Sequence, residues 1–396
     1  MKLLTVVEAR ARMLAEVPAV AVETVPLSAA AGRVLAEAVT AVRHQPPFDA
    51  SAMDGYAVRA ADTPGTLAVV GESAAGRGYA GALSVGEAVR IFTGAALPAG
   101  ADAIVIQEDA AREGDTVAAP PVAGRHYVRP AGGDFQAGEA LLAAGVRLDP
   151  WRLSLAAAAG RAELAVARRP RVALLSTGEE IVEAPAEPGP FQIYDSATPG
   201  LAAMIAAWGG EPVRARPVRD DLEATVVALR AAQAELVVTI GGASVGDHDL
   251  VRKAGEVLGL QLSVASIAVR PGKPTFFGRL ADGRLMLGLP GNPASAFVCA
   301  ELFLRPILAR WQGAEAEPAI VTARLESDLP ANGPREHWMR AKLSYADGAV
   351  TVRPFRDQDS SLVSVFAMAD ALLRRQAGAP AAPAGSVADL LPLSRA

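Results

Sequence analysis

The spacing of apolar positions changes along the N-terminal part of the chain. Residues 5–17 and 28–42 repeat them with helical spacing, which predicts two helices. Short apolar runs separated by glycines follow and predict a β-rich domain over residues 46–145. A helix pattern and a strand pattern come next. We therefore expect a helical or linker domain built from residues 1–45 and 146–169, with the β-rich domain inserted into it.

From residue 170 onward, continuous apolar runs alternate with amphipathic ones. VALLS at 172–176 and ELVVTI at 235–240 are typical of strands buried on both faces. Their alternation with helical patterns predicts a doubly wound parallel α/β domain over residues 170–314. Strand patterns dominate again over residues 315–396 and predict a separate, barrel-like C-terminal β domain.

Three junctions after predicted strands are rich in glycine or small residues. Ligands of doubly wound sheets bind beyond the carboxyl ends of strands, where bare backbone N–H groups and helix N-termini attract anions. Taken alone, each junction is explained as well or better by a tight turn. The sheet brings all three to one edge, so together they predict a phosphate site. The candidate substrate-binding residues are Thr177, Gly178, Gly241, Gly242, Ser244, Gly246, Pro290, Gly291, Asn292 and Pro293.

Acidic side chains follow the same strand ends. Glu180, Asp195, Asp220 and Asp249 each stand at or shortly after the end of a predicted strand. Carboxylates beside phosphates recruit Mg²⁺, which takes one or two carboxylates plus substrate oxygens. Asp220 is equally well placed to cap the helix predicted over 220–234, and the two roles are compatible.

A further group of charges lies in RPGKP at 270–274. Arg270 and Lys273 flank a Pro-Gly turn there, and two cations on a rigid turn suit an oxyanion. A solvated turn explains the segment better when it is taken alone. Asp54 and Thr93 stand on loops of the predicted β-rich domain and indicate little by themselves.

Composition bounds the class of protein. The chain has 396 residues and a net charge of −5, which argues against broad nucleic-acid binding but allows a local anion site. The single cysteine allows no internal disulfide, and the four histidines lack zinc-ligand spacing. Charged residues interrupt the apolar N-terminal segment, which argues against a signal peptide. No apolar run predicts a membrane span. We expect a cytoplasmic protein without nucleic-acid or membrane partners.

Several motifs occur in a fixed order over about residues 1–310: PPFDASAMDGYA, RIFTGA, LLSTGEE, IYDS, GGASVGDHD, RPGKP and GLPGNPAS. In these motifs the chain resembles the molybdopterin molybdenumtransferases, the MoeA proteins related to the E domain of gephyrin. The resemblance implies an elongated homodimer of four-domain chains with a pterin-binding α/β domain. It also implies insertion of molybdate into adenylylated molybdopterin, with Mg²⁺-dependent release of AMP. Handover from the molybdopterin adenylyltransferase and to molybdoenzymes is implied as well.

The resemblance further implies roles for individual residues. The acids that match the metal-binding and adenylate-cleaving positions are Asp220, Asp249 and Glu180. The residues that match the molybdate pocket are Arg270, Lys273, Pro274, Arg340 and Ser360. Lys273 is also assigned to catalysis. The residues that the β-rich domain would present to the substrate, across the dimer, are Asp54, Thr93 and Asp134.

The chain departs from the family pattern at three places. Arg270 stands where the family usually has Lys, and Ser266 stands where a Lys is frequent. QDSS at 358–361 replaces a frequent QGSH, so Ser360 and Ser361 are both candidates for the pocket serine. The changes at Ser266 and Asp359 motivate an alternative reading as a non-catalytic pterin or nucleotide carrier. A scaffold, by analogy with gephyrin, is a further alternative.

Overall fold

The structure is a computed structural model that describes residues 3–242, 250–346 and 348–393. These residues divide into two units. The first unit contains residues 1–23, 32–36 and 166–396, and the second contains residues 24–31 and 37–165. The second unit therefore interrupts the first along the chain. The division into four domains stays a prediction.

The α-helices of the described residues are α1 (Val6–Ala15), α2 (Pro150–Ala158), α3 (Ala197–Ala207), α4 (Leu222–Ala231), α5 (Leu250–Val257), α6 (Pro293–Cys299), α7 (Arg305–Trp311) and α8 (Val363–Met368). A π-helical turn, Ala300–Leu304, joins α6 to α7. Short 3-10 turns span Leu27–Ala29 and Ala60–Asp62.

The strands of the N-terminal part are β1 (Val22–Pro26), β2 (Val39–Thr40), β3 (Ala50–Ser51), β4 (Gly55–Val58), β5 (Gly65–Ser73), β6 (Glu87–Ile91), β7 (Ala103–Ile106), β8 (Ala111–Glu113), β9 (Thr116–Ala119), β10 (Val128–Arg129), β11 (Ala140–Leu142) and β12 (Glu163–Ala167). The later strands are β13 (Arg171–Ser176), β14 (Ile181–Val182), β15 (Ile193–Tyr194), β16 (Glu211–Arg214), β17 (Leu236–Ile240), β18 (Gln261–Val264), β19 (Val269–Arg270), β20 (Phe276–Arg279), β21 (Leu285–Leu289), β22 (Val321–Leu325), β23 (Glu336–Ala346), β24 (Ala349–Pro354), β25 (Ala371–Arg375) and β26 (Val387–Pro392).

The two helices predicted near the N-terminus have different outcomes. Helix α1 confirms the one predicted over 5–17, whereas the helix predicted over 28–42 is wrong. Gly32 has a φ of +70°, outside the helical region. Leu35 forms a β-bridge with Val166, and β2 pairs with β11. Pairing with distant segments has therefore overridden the local helical spacing.

The second unit is built on a sheet of strand order β7-β4-β6-β5-β9-β8. Strands β5 and β6 run parallel, and the other neighbours in this sheet are antiparallel. Alternate residues of β4 face two apolar clusters: Tyr56 and Val58 pack in one and Ala57 in the other. The β-rich character predicted for this part of the chain is confirmed.

The first unit contains a sheet of strand order β16-β13-β17-β21-β20-β18. The neighbours from β16 to β21 are parallel, as the alternating pattern predicts. Strand β20 pairs antiparallel with both β21 and β18, so the sheet is mixed at this edge. The reason is that the segment between β20 and β21 is too short for a crossover helix.

Helices cover both faces of this sheet. Leu174 and Val238 pack into an apolar cluster that also contains residues of α3 and α6. Ala173 and Val237, their neighbours along the strands, pack into a cluster with residues of α4 and α5. Successive strand residues point to opposite faces, so each strand is buried by both helix layers. This is the doubly wound arrangement that the continuous apolar runs predict.

Gly288 of β21 is expected to be intolerant of any side chain. A Cβ at this position would lie 2.0 Å from Cε1 of Phe276, which is fully buried on the neighbouring strand. We expect Gly288→Ala to lower the free energy of unfolding by about 1–3 kcal/mol, because overpacked cores cost that much. Urea unfolding measures the change. Gly333→Ala is the matched control, since no atom lies within 4 Å of the added Cβ. Equal stability of the two variants would contradict the prediction.

The C-terminal part of the first unit is a closed barrel. Strands β23, β24, β22, β26 and β25 pair in sequence, and β25 pairs back to β23. Strand β19, from the α/β part of the chain, adds to β23 in parallel and places Arg270 beside His337. The predicted barrel-like domain is confirmed. The RPGKP segment connects β19, at the barrel, to β20 of the α/β sheet.

Candidate functional site

The carboxyl ends of the parallel strands lie side by side at one edge of the α/β sheet. Ser176 of β13, Ile240 of β17 and Leu289 of β21 are in register there. The chain goes from β13 to β16 on one side and then to β17 on the other, so the strand order reverses at β13. Ligands of doubly wound sheets bind at such a switch point. The candidate site is formed by the segments that follow these three strands.

The segments after β13 and β17 pack so closely that glycine is required. A Cβ on Gly241 would lie 2.7 Å from the carbonyl oxygen of Thr177, and one on Gly242 would lie 2.3 Å from Cγ2 of Val251. Their φ values, +91° and +61°, also favour glycine. The hydroxyl of Thr177 is buried beside both and has no hydrogen-bond partner among the described residues. A free hydroxyl and bare backbone therefore meet at the strand ends, as a phosphate site requires.

A cavity of about 830 Å³ opens over this edge, a volume that suits a ligand of nucleotide size. The predicted substrate-binding residues in its described lining are Thr177, Gly178, Gly241, Gly242, Pro290, Gly291, Asn292 and Pro293. The predicted catalytic and molybdate-side residues in the lining are Glu180, Asp220, Lys273 and Pro274. Three further predicted residues, Ser244, Gly246 and Asp249, lie outside the described residues.

Three predicted acids line the cavity: Glu180 and Asp220 are exposed, and Asp195 is half-buried. Glu180 lies against Gly178, where an added Cβ would be 2.5 Å from its Oε2. Asp220 lines the cavity but does not cap α4, which corrects that prediction. The cap is Asp221, whose carboxylate accepts a hydrogen bond of 2.7 Å from the backbone N–H of Ala224. Among the described residues no group of three or more potential ligands gathers into a metal site.

The RPGKP turn separates its two cations. Lys273 lines the cavity, whereas Arg270 is solvent-exposed and lies outside the described lining. Gly272 has a φ of +118°, and an added Cβ would lie 2.2 Å from Sγ of Cys299. Thr275 closes the turn, with its N–H donating to the carbonyl of Gly272 at 3.0 Å. This tight turn leads the chain from β19 into the cavity, and the prediction that Arg270 and Lys273 bind one oxyanion stays a prediction.

Arg340 is fully buried on β23 and is the largest such side chain among the described residues. Its Nη2 donates to the carbonyl of Asp359 at 3.0 Å and to that of Asp357 at 3.4 Å. Nε and Nη1 have no hydrogen-bond partner in the described part of the chain. Burial lowers the pKa of Arg340, and the charges of Asp357 and Asp359 oppose this. A buried cation with free N–H groups is a donor set for an anion.

The QDSS segment, which wraps around Arg340, settles the positions of the two serines. The Ser360 hydroxyl accepts a hydrogen bond of 2.8 Å from Nδ2 of Asn292 and lies outside the described lining. Ser361 lines the cavity. The Asp359 carboxylate accepts from the N–H and hydroxyl of Ser361, and these bonds lower its pKa. Asn292 therefore connects the start of α6 to this segment instead of capping the helix with its side chain.

His337 is buried beside a group of guanidinium ions. Its backbone pairs with that of Arg270 across β19 and β23. Burial, followed in order by the charges of Arg270, Arg340 and Arg335, lowers the pKa of His337 from 6.5 to about 4. The imidazole is therefore neutral at pH 7. The surrounding guanidinium groups therefore have a neutral neighbour in His337, and their positive charge is available to an anionic ligand.

This depressed pKa predicts a loss of stability on acidification. The unfolded imidazole takes up a proton near pH 6.5, whereas the folded one does so only near pH 4, so protonation favours the unfolded chain between these values. At 1.36 kcal/mol per pKa unit, the loss from pH 7 to pH 4.5 is about 2–3 kcal/mol. Over this pH range we expect the free energy of unfolding, measured with urea, to fall by about 2–3 kcal/mol less in His337→Gln than in wild type. Replacing the exposed His126 by Gln is the control, and the same acid loss in all three proteins would contradict the prediction.

The predicted residues of the second unit do not all lie together. Asp54 accepts hydrogen bonds from the N–H and the hydroxyl of Thr93, at 2.7 and 2.8 Å, so these two form a pair. Both bonds, the backbone one first, lower the pKa of Asp54. Asp134 lies on a different loop, where its N–H donates to the carbonyl of Gln45 at 2.9 Å.

Several residues of the cavity were not among the predicted site residues. They are Ser176, Ile181, Ile193, Tyr194, Ser196, Ala197, Ile240, Leu250 and Val363. Ile181, Ile193 and Tyr194 belong to the loop between Gly178 and Asp195, where the IYDS motif indicates only the family resemblance. The available signal was an isolated apolar and aromatic pair beside an acid in a stretch rich in proline and glycine.

The chain matches the regions of one family along its length. The MoeA N-terminal region (domain I and II) matches residues 4–160, a probable molybdopterin binding domain matches residues 173–310, and the MoeA C-terminal region (domain IV) matches residues 322–393. The chain thus contains an α/β domain of the molybdopterin-binding class between two MoeA regions.

Relatives cover most of the chain. It is 38% identical to the molybdopterin molybdenumtransferase of Nostoc sp., over 82% of this chain and 78% of that relative. The identity to the protein of the same name from Bacillus subtilis is 34%, over 89% of this chain and 85% of the relative. Two solved structures of MoeA from Pyrococcus horikoshii superpose with TM-scores of 0.83, at 31% and 28% identity, and cover 100% and 99% of this chain and all of each solved chain.

The chain belongs to the molybdopterin molybdenumtransferase (MoeA) family, a family of transferases in molybdenum cofactor biosynthesis. Among the described helices, none has both the length and the apolar character needed to cross a membrane.

Proposed function

We propose that the chain inserts molybdate into adenylylated molybdopterin and releases AMP in a Mg²⁺-dependent step. The observation that carries this proposal is the cavity at the strand ends. Glycine-lined backbone, the carboxylates of Glu180 and Asp220, and the ammonium of Lys273 all border this one space. A substrate with a phosphate bridge, a transferred oxyanion and a divalent cation needs all three kinds of group.

We assign the phosphates of the substrate to the segments after β13, β17 and β21. The hydroxyl of Thr177, which has no partner among the described residues, is proposed as a donor for their oxygens, beside the glycine backbone at Gly242 and Gly291. The start of α6, at Pro293, adds its partial positive charge. These groups bind and orient the adenylylated end of the substrate and cost no rearrangement during the reaction.

Molybdate is assigned to Lys273, Pro274, Ser361 and Arg340. Lys273, Pro274 and Ser361 line the cavity. Arg340 lies outside the described lining, but it donates to the segment that holds Ser361 and has two nitrogens without a partner among the described residues. We propose Ser361 in place of Ser360, because Ser361 lines the cavity and Ser360 lies outside its described lining. Arg270 is proposed to add positive charge beside Arg340, because both guanidinium groups act on the buried His337.

The carboxylates of the cavity fit a magnesium ion. Glu180 and Asp220 are hard oxygen donors, and Mg²⁺ is usually held by one or two carboxylates plus phosphate oxygens and waters. Bound there, the ion would neutralise negative charge on the departing AMP. We propose Glu180 and Asp220 as its protein ligands, together with Asp249, which lies outside the described residues.

The direct test is AMP release from adenylylated molybdopterin by the purified protein. We expect release that requires Mg²⁺ and increases with molybdate, with molybdenum left on the pterin. Separation of AMP by chromatography, with metal analysis of the pterin product, measures both. Pterin binding without release at any molybdate concentration would reject the transferase proposal and favour a carrier.

We also propose a homodimer in the cytoplasm that receives its substrate from a molybdopterin adenylyltransferase and passes its product to molybdoenzymes. The family resemblance supports this, and Asp54, Thr93 and Asp134 are proposed to act across the dimer. Light scattering of the purified protein tests the oligomeric state. A monomer at micromolar concentration would contradict the dimer.

A further inference from the structure

The loop that carries β14 and β15 forms an apolar wall of the cavity. Ile181, Ile193 and Tyr194 all line the cavity from this loop. Ile193 is 58% exposed and Tyr194 is 50% exposed, although both are large apolar side chains. Exposed apolar groups gathered at a cavity mark a binding surface, because exposure without a ligand costs free energy.

Tyr194 is held in place by backbone contacts on both sides. The N–H of Ile193 donates to the carbonyl of Glu180 at 2.7 Å, and the N–H of Asp195 donates to that of Val182 at 2.8 Å. The Asp195 carboxylate then accepts from the N–H of Thr198 at 2.9 Å, which ties the loop to the start of α3. The aromatic ring is therefore attached to an anchored segment, and binding through it loses little conformational entropy.

The rest of the described lining has a different chemistry. It consists largely of glycine, proline, hydroxyl, carboxylate and ammonium groups. Charged and hydrogen-bonding groups of a ligand are satisfied by that lining, whereas a flat ring gains from contact with aromatic and aliphatic side chains. The two kinds of lining thus suit a ligand that joins phosphates to a ring system.

We propose that Tyr194, flanked by Ile181 and Ile193, stacks on a flat heteroaromatic ring of the substrate. The inference rests on the proposed function, in which the substrate carries two such rings, a pterin and an adenine. Both have the polar edges and flat faces that favour offset stacking on a phenol ring. Tyr194 is therefore assigned to ring recognition, separately from the phosphate and molybdate contacts.

The test compares ring binding by wild type, Tyr194→Leu and Tyr194→Phe. Pterin-6-carboxylate, whose fluorescence is quenched by stacking, probes the pterin, and AMP measured by calorimetry probes the adenine. Loss of one stacked ring contact weakens binding by about tenfold or more. We expect Tyr194→Leu to bind at least one probe about tenfold more weakly or worse. If the pterin is the stacked ring, the fluorescence of pterin-6-carboxylate should no longer be quenched by this variant. Tyr194→Phe should retain binding, because the aromatic face is kept.

Two controls separate stacking from general damage. Tyr345→Leu removes a tyrosine that is 76% exposed on the barrel strand β23. Phe191→Leu removes a ring that is 93% exposed on the same loop but lies outside the described lining. We expect both to bind the probes as wild type does. Inorganic pyrophosphate should bind Tyr194→Leu as it binds wild type, since its partners are elsewhere in the cavity.

The outcomes distinguish this inference from the proposed function. A loss for pterin-6-carboxylate alone identifies the pterin as the stacked ring, and a loss for AMP alone identifies the adenine. If wild type binds both probes and Tyr194→Leu binds them like Tyr345→Leu, the stacking inference is overturned and the proposed function stands. If wild type binds neither probe, the proposed function itself is overturned, and the inference with it.

Discussion

Asp220→Asn is expected to slow the proposed AMP release by about 100-fold or more, the usual loss when one electrostatic group is removed from an active site. Asp220 lines the cavity as an exposed carboxylate. The amide keeps its size and removes the charge that would hold Mg²⁺. The rate of AMP release and the midpoint of a Mg²⁺ titration measure the effect, and we expect the midpoint to move to higher Mg²⁺.

The neighbouring acid provides the matched control. Asp221→Asn makes the same change of charge one residue away, and Asn caps a helix as well as Asp does. We expect this variant to release AMP at the wild-type rate and to unfold at the wild-type urea concentration. If the two variants lose activity equally, the carboxylate of Asp220 has no specific role and the assignment is wrong.

Arg340→Met is expected to raise the molybdate concentration needed for half-maximal AMP release by about 100-fold. Arg340 is fully buried, and two of its nitrogens have no partner among the described residues. Hydrogen bonds to a charged group are each worth about 1.5–3 kcal/mol, so losing the guanidinium removes at least that much binding energy. Arg340→Lys keeps the positive charge but lacks the planar guanidinium group, so we expect its apparent affinity for molybdate to remain well below that of wild type. Titration of AMP release with molybdate measures both variants.

The control lies two residues further along the same strand. Lys342 pairs with Asp370 at a distance of 2.9 Å on the surface. We expect Lys342→Met to leave the molybdate titration unchanged, because surface ion pairs contribute little and this one is not in the cavity. Thermal unfolding of both variants reports whether the fold survives the change. A molybdate titration of Arg340→Met that coincides with the control would remove Arg340 from the molybdate site.

Local patterns were reliable where a single physical constraint controls several residues in a row. The runs that became β13 and β17 are apolar throughout because helices cover both faces of the sheet. The glycines after β17 were identifiable because close packing and positive φ leave no other choice. The same constraints made the strand ends recognisable as a site before any distance was known.

Local patterns failed where the outcome depends on which distant segment lies nearby. Residues 28–42 have helical spacing, but bridging with Val166 and β11 decided their conformation. Asp220 and Asp221 are chemically identical and adjacent, and only the start of α4 shows which one is the cap. Arg270 and Lys273 are three positions apart, but pairing of β19 with the barrel draws Arg270 away from the cavity.

The sequence by itself determined the family, the order of buried strands and the glycine-rich strand ends. Each of these depends only on the identity or spacing of neighbouring residues. The tertiary structure decided which of two adjacent serines enters the cavity, which cation of RPGKP reaches it, and that Tyr194 forms its apolar wall. Neighbouring residues direct their side chains differently, and along a strand such as β15 successive side chains alternate between the two faces. That direction is selected by contacts with segments far away in the chain, which local spacing does not record.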